Sequence, residues 1–269
     1  MIRRAGWLLV AVLASGLVAC GRNSAAPETS PAATPAAQAA AAKPDAAAVA
    51  EPGADRSDVS LERLTALPDS AQLPGGRWKA GVNYEPVVPS QSTSAPPGQV
   101  EVLEVFWYGC SHCYALDPFL ERWRQGKPAG IKFVRVPVIW GQGPHRAHAR
   151  LFYTLEALGK LDALHAATFD AVQKGSNPLV DADEAKTFQL QLAFAKSQGI
   201  AEADFTREYN GFYVNTALQR ADDLTRRYNV DSVPRIVVNG KYQTDVGMAG
   251  GHEQLIQLIN DLAAAEKKR

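Results

Sequence analysis

Nine residues, Val100-Glu-Val-Leu-Glu-Val-Phe-Trp-Tyr108, run into Gly109 and then into Cys110-Ser111-His112-Cys113. No other stretch of the chain restricts its fold as much. The run is apolar and rich in β-branched and aromatic residues, which predicts a central strand covered on both faces. Gly109 marks a strand-to-helix turn, and Cys113 to about Arg124 reads as a helix. Cys110 therefore falls at a helix N-terminus, where unpaired N–H groups and partial positive charge stabilise a thiolate. His112, between the cysteines, adds a positive charge or a donor. Cys113 lies one turn further in, so it is expected to be more buried and less acidic. One cysteine is thus exposed and activated, and the other resolves.

The chain has only three cysteines, and the third is Cys20. Arg3 and Arg4 precede an apolar or small segment from Trp7 to Ala19 that is too short to span a bilayer comfortably. It ends in Leu17-Val18-Ala19-Cys20, which resembles the bacterial lipobox. Residues 1–19 are therefore expected to be a lipoprotein signal peptide, with Cys20 as the lipidated first residue of the mature chain. Export means an oxidising compartment, the periplasm, with attachment to a bacterial membrane. One Cys-x-x-Cys pair closes almost no loop and contributes little stability, so its value lies in opening and closing. Residues 20–72 read as a linker. Twelve of the twenty residues from Pro31 to Ala50 are Ala, and Pro31, Pro35 and Pro44 interrupt any long helix. Such a coil reaches on the order of 35–40 Å, which suits a tethered enzyme. Ser60 to Leu67 reads as a short helix. Lys plus Arg and Asp plus Glu number 28 each, so no basic excess points to nucleic acid.

The domain is expected over 73–269. Ile131 to Ile139 reads as a second strand, with Pro137 at its end or on an edge. Residues of about 142–228 are patterned as helices, with a capping box at Asp181 to Glu184. Arg235-Ile-Val-Val238, Asn239-Gly240 and Lys241-Tyr-Gln-Thr244 form a hairpin signal, and a last helix runs from His252 to Glu266. The order βαβ, helical block, hairpin, helix predicts an α/β protein, a thioredoxin-type core with an inserted helical subdomain.

Val102-Leu-Glu-Val-Phe-Trp-Tyr-Gly-Cys-Ser-His-Cys-Tyr114 resembles the active-site stretch of the DsbA family of bacterial thiol–disulfide interchange proteins. Val233-Pro234-Arg-Ile-Val-Val-Asn-Gly-Lys-Tyr242 is similar to that family's cis-proline loop and following hairpin. The resemblance covers about residues 80–265. It implies catalytic Cys110, Cys113 and His112, substrate binding by Val233 and Pro234, and a cis bond before Pro234. It further implies disulfide donation to reduced secreted proteins and reoxidation by an inner-membrane quinone reductase of the DsbB type, with no cofactor and no metal. Ser111 departs from the family, whose best-known members carry Pro there, and so do the lipobox and linker. A periplasmic reductase or isomerase is the alternative activity. No dimerisation domain of the isomerase kind is evident, and a monomer is expected. A non-catalytic lipoprotein scaffold is the alternative of another class.

Glu104 stands six residues before Cys110 in the apolar strand. A buried charge there is costly unless paired or functional. In thioredoxin-fold enzymes such an acid is thought to assist proton transfer with the second cysteine, and Arg135 is a candidate partner. The plain alternative is a salt bridge at a strand end near solvent. Pro118 predicts a kinked rather than a shortened helix. His145 and His148 lack the spacing of a second chelating pair for zinc, and His165 and His252 read as surface or helix-packing residues.

Overall fold

The computed structural model describes Leu73, residues 76–175 and residues 177–267. The signal peptide, Cys20, the linker and the Ser60 to Leu67 helix expected from the sequence lie outside them. The elements in chain order are β1 (Glu85–Pro86), β2 (Val100–Phe106), α1 (Ser111–Gly126), β3 (Ile131–Pro137), α2 (Pro144–Ala157), α3 (Leu161–Gln173), α4 (Glu184–Ser197), α5 (Glu202–Tyr209), α6 (Phe212–Arg227), β4 (Arg235–Val238), β5 (Tyr242–Thr244), α7 (Val246–Ala249) and α8 (His252–Lys267). The strand order is β1-β5-β4-β2-β3. β2 runs parallel to β3 and antiparallel to β4, and the hairpin β4–β5 extends the sheet to the short β1. This is a thioredoxin fold with helices inserted between β3 and β4.

All seven residues of β2 are buried, as a strand covered on both faces requires. Alternation sends Val100 and Val102 to one face, where they pack with Leu116 and Leu120 of α1 and Leu258, Ile259 and Leu262 of α8. Leu103 and Val105 go to the other, against Phe152 of α2 and Val214, Leu218 and Ala221 of α6. A separate core of Leu151, Leu155, Leu192, Ala195 and Phe205 holds the helical block together.

Asn239 and Gly240 both take positive φ, 52° and 66°, and the Lys241 N–H donates to the Val238 carbonyl. That is the turn the Asn-Gly dipeptide predicts. α1 begins at Ser111, two residues before the expected start, and runs through Pro118 to Gly126. β3 stops at Pro137 and not at Ile139. The capping box does not form at Asp181. Asp183 caps α4 by accepting from the Ala185 and Lys186 N–H groups. The Asp181 side chain instead accepts from the Asp183 N–H at 2.9 Å, the local turn that Asp readily makes. β1 had no sequence signal. Its lead-in is pinned from a distance, by Trp78 Nε1 donating to Asp261 Oδ2 (2.7 Å) and Asn83 Nδ2 donating to the Met248 carbonyl (2.9 Å).

Candidate active site

β2 delivers the chain to Gly109, which has no room for a side chain. A Cβ there would meet the Trp107 ring at 2.3 Å. Cys110 follows as the N-cap of α1, with extended backbone (φ −90°, ψ 115°), and its sulfur accepts from the Cys113 N–H at 3.1 Å. Satisfying an otherwise orphaned helix donor is the usual task of a Ser or Asp at this position. Here a sulfur does it, and the bond grows stronger when the sulfur is charged. The Cys110 thiol also donates to the Val233 carbonyl at 3.4 Å, across a Val233–Pro234 bond that is cis. The proline loop thus lies against the first cysteine, and His112 is exposed on the first turn.

The two thiols differ sharply in acidity. Cys110 is half-buried and its pKa is lowered from 9.0 to about 6. A hydrogen bond from the Cys113 thiol is the largest cause. Burial opposes it, and the Cys113 and His112 N–H groups and the His112 charge add to it. Cys113 is fully buried, and burial pushes its pKa far up, so it stays a thiol and acts as donor to its neighbour.

Beneath the cysteines lies a buried set of charges. Glu104 is 1 % exposed and accepts from Arg135 Nε at 3.0 Å. The two face one another in the parallel register of β2 and β3, and the strand-end alternative near solvent is excluded by that burial. Arg135 also reaches Asp117 (3.1 Å) and Glu121 (2.7 Å) of α1. Burial raises the Glu104 pKa from 4.5 to about 7, although the Arg135 charge and hydrogen bond pull the other way. A single guanidinium shared by three carboxylates does not repay the desolvation of the deepest one. The Glu104 charge in turn acts on the Cys113 thiol and helps keep it protonated.

The helical block grips the same region through α3. Gln173 Nε2 donates to the Tyr108 carbonyl at 2.7 Å, two residues before Cys110. Tyr114 Oη donates to Asp170 Oδ1 at 2.6 Å, and Phe169 packs edge-on to Tyr108 with ring centroids 4.9 Å apart.

Cys110, Cys113, His112, Val233 and Pro234 therefore come together at one end of the sheet, with Glu104 below. The His145 ring lies tilted against Trp107 with centroids 4.3 Å apart, and His252 stacks on Phe119 at 4.7 Å. Sequence reasoning missed Asp117, Glu121, His165 and Gln173. A signal for two of them was present: Cys113, Asp117 and Glu121 recur every four residues, on one face of α1.

Adjacent thiols held this far apart in acidity suit one reaction, the exchange of a disulfide with an outside thiol. A thioredoxin fold carrying such a pair makes the chain a protein thiol–disulfide oxidoreductase. It is 39 % identical over 173 residues to the thiol:disulfide interchange protein DsbA of Pseudomonas syringae pv. tomato, a match covering 64 % of this chain and 78 % of the relative. The DsbA of Azotobacter vinelandii is 37 % identical over 180 residues, or 67 % of this chain and 81 % of the relative. The crystal structure of Pseudomonas aeruginosa DsbA superposes with a TM-score of 0.64 at 36 % identity, covering 71 % of this chain and 95 % of that one. No protein-family model matches the chain. The chain belongs to the DsbA family of thiol:disulfide interchange proteins.

Proposed function

We propose that this oxidoreductase works as an oxidase, donating the Cys110–Cys113 disulfide to reduced exported proteins, and that a DsbB-type membrane protein reoxidises it. The observation that carries the direction is the lowered pKa of Cys110. A substrate thiolate attacks the Cys110 sulfur, the S–S bond breaks, and its electron pair goes to Cys113. Buried as it is, Cys113 needs a proton, and the Glu104 carboxyl is the group at hand to supply it. A second substrate thiolate then attacks the substrate sulfur of the mixed disulfide and expels Cys110 as thiolate. Two electrons pass from the substrate to the enzyme. A thiol of low pKa makes a good leaving group, and whatever stabilises the Cys110 thiolate stabilises the reduced enzyme against the disulfide. Val233 and Pro234 beside Cys110 offer a backbone edge for an extended substrate, and His112 keeps the thiolate in its charged form.

The pH dependence of Cys110 follows. A thiol of pKa about 6 holds roughly 90-fold more thiolate at pH 7 than one at 9.0. Intrinsic nucleophilicity falls with pKa and gives back roughly 20-fold of that. Alkylation of reduced Cys110 at pH 7 is therefore expected to run about fourfold faster than that of an ordinary thiol, and to level off above a midpoint near pH 6. In a glutathione redox buffer the reduced form should dominate. A normal thiol titration together with a strongly reducing equilibrium would move the assignment to a reductase.

The location proposed is the periplasm, with Cys20 as a lipid anchor to a bacterial membrane. It rests on the lipobox-like Leu17-Val18-Ala19-Cys20. Intact mass of the chain purified from membranes should show residues 1–19 absent and acyl chains on Cys20. A mature chain that starts elsewhere, or one without lipid, would rule the anchor out.

A further inference from the structure

His165 belongs to neither cysteine nor to the proline loop, yet it is buried at the seam between the helical block and the charged set below the disulfide centre, 3 % exposed. The Tyr108 hydroxyl lies 2.9 Å from its Nδ1, and its Nε2 lies 3.3 Å from Asp117 Oδ1. These two contacts select one tautomer. A proton on Nε2 faces the Asp117 carboxylate favourably, whereas a bare Nε2 lone pair would oppose it. Nδ1 is then the acceptor, and Tyr108 donates. The approach of Nε2 to Asp117 is electrostatic and not a well-aligned hydrogen bond, since no acceptor meets Nε2 in bonding geometry. Phe106, Phe152 and Phe169 surround the ring edge-on, so the imidazole has no room to turn away. Burial pushes its pKa down, which keeps it neutral.

We propose that His165 is a positioning residue of the disulfide centre: from α3 it holds Tyr108 and Asp117 in place and thereby sets how readily Glu104 passes a proton to and from Cys113. This rests on the oxidoreductase reading and on the role given to Glu104. The groups that act on the ring's polar edge are Tyr108, two residues beyond β2, Asp117 and Glu121 from α1, and Arg135 from β3. Among the three carboxylates that share Arg135, Asp117 is the one to which His165 turns an N–H. That dipole partly meets the Asp117 charge. Without it, Asp117 leans harder on the Arg135 guanidinium that it shares with Glu104, and Glu104, with a smaller share of the cation that lowers its pKa, holds its proton to higher pH. His165, Phe169 and Gln173 lie at four-residue spacing on α3, so the same face that carries the imidazole also holds the Tyr108 carbonyl. The helical block is in this way part of the proton machinery and not only a cover.

The test is the rate of single-turnover oxidation of a dithiol peptide by the full chain, followed from pH 5 to pH 9. The wild-type profile should carry an inflection that Glu104→Gln removes. His165→Phe fills the space without the polar edge and should move that inflection upward by roughly half to one pH unit. His165→Gln, which can still accept from Tyr108 and donate to Asp117, should return most of the shift. Tyr108→Phe keeps the ring but frees the imidazole tautomer, and should shift the inflection in the same direction by less. It also serves if His165→Phe does not fold. An unmoved inflection in folded His165→Phe and in Tyr108→Phe overturns the proposal, as does a profile that Glu104→Gln leaves unchanged. Exchange that survives Cys110→Ser would instead overturn the underlying reading of the cysteines.

Discussion

Cys113→Ser is expected to accumulate mixed disulfides, all through Cys110, as its Cys110 thiolate attacks a disulfide of an oxidised exported protein and expels that protein's other sulfur as thiolate, while Cys110→Ser is expected to lose exchange completely. The two sulfurs sit one helical turn apart and differ in what can reach them. Cys110 is half-buried at the N-cap and opens toward the proline loop, whereas Cys113 has no exposed surface. An incoming thiolate must travel in line with the S–S bond, so attack falls on the sulfur that solvent can reach. In the wild-type chain the mixed disulfide resolves in either of two ways: a second substrate thiol attacks, or Cys113 attacks back. Serine at 113 removes the second route, and the intermediate persists. Serine at 110 removes the accessible sulfur of the pair and leaves a thiol that burial keeps protonated. Non-reducing electrophoresis with mass-spectrometric mapping of the trapped peptide reads the first variant. Oxidative refolding of a reduced, disulfide-containing protein reads the second. A trap joined through Cys113 would reverse the two roles. Refolding that proceeds equally well with Cys110→Ser would favour a scaffold with an idle cysteine pair.

Arg135→Met should cost the fold about 3–5 kcal/mol at pH 8, the usual penalty for stranding buried partners of a removed charge. For a domain of this size that is a fall in Tm of roughly 10 °C. Methionine matches the aliphatic stem of arginine out to about the Nε position, so the loss reports chiefly the guanidinium and the charge it carries. Arg135 is 8 % exposed and is the cation for Glu104, Asp117 and Glu121 together. The penalty should depend on pH, with a sign set by Glu104. Its folded pKa of about 7 lies above the ordinary 4.5, so the native state binds more protons than the unfolded chain between those values. Its ionisation therefore costs nothing below about pH 4.5 and costs the most above about pH 7. Removing the cation deepens that cost only where the carboxylates are charged. The gap between wild type and Arg135→Met should accordingly narrow as pH falls from 8 to 5, measured by urea unfolding at each pH. A gap that stays constant, or that widens in acid, would mean that Arg135 acts by packing and not by charge.

Some of this site was open to reading from the chain alone because its parts are neighbours in sequence. A strand, one glycine and Cys110 to Cys113 on the first turn of a helix follow from local pattern. The acidity of the first cysteine follows from helix N-terminal chemistry that needs no tertiary contact. Asn239-Gly240 sets its turn by backbone conformation alone. Glu104 betrayed itself as a charge in an apolar strand, and Arg135 as the cation in the next one. Other parts depend on residues far apart in the chain, and no periodicity reports on them. The Tyr108 hydroxyl meets a histidine 57 residues away, and Gln173 reaches the Tyr108 carbonyl across 65. Asp117 carried a helical spacing that put it on the Cys113 face, but nothing in that spacing says what lies opposite. The Glu104 pKa was beyond sequence reasoning for the same reason. It is the balance of total burial against one shared guanidinium, and both quantities exist only once α1, β3 and α3 have closed over the strand. The chemistry of Cys110 is thus a property of the local chain, whereas the proton supply to Cys113 is a property of the packed fold, because charge in a buried site is governed by every group that replaces its water.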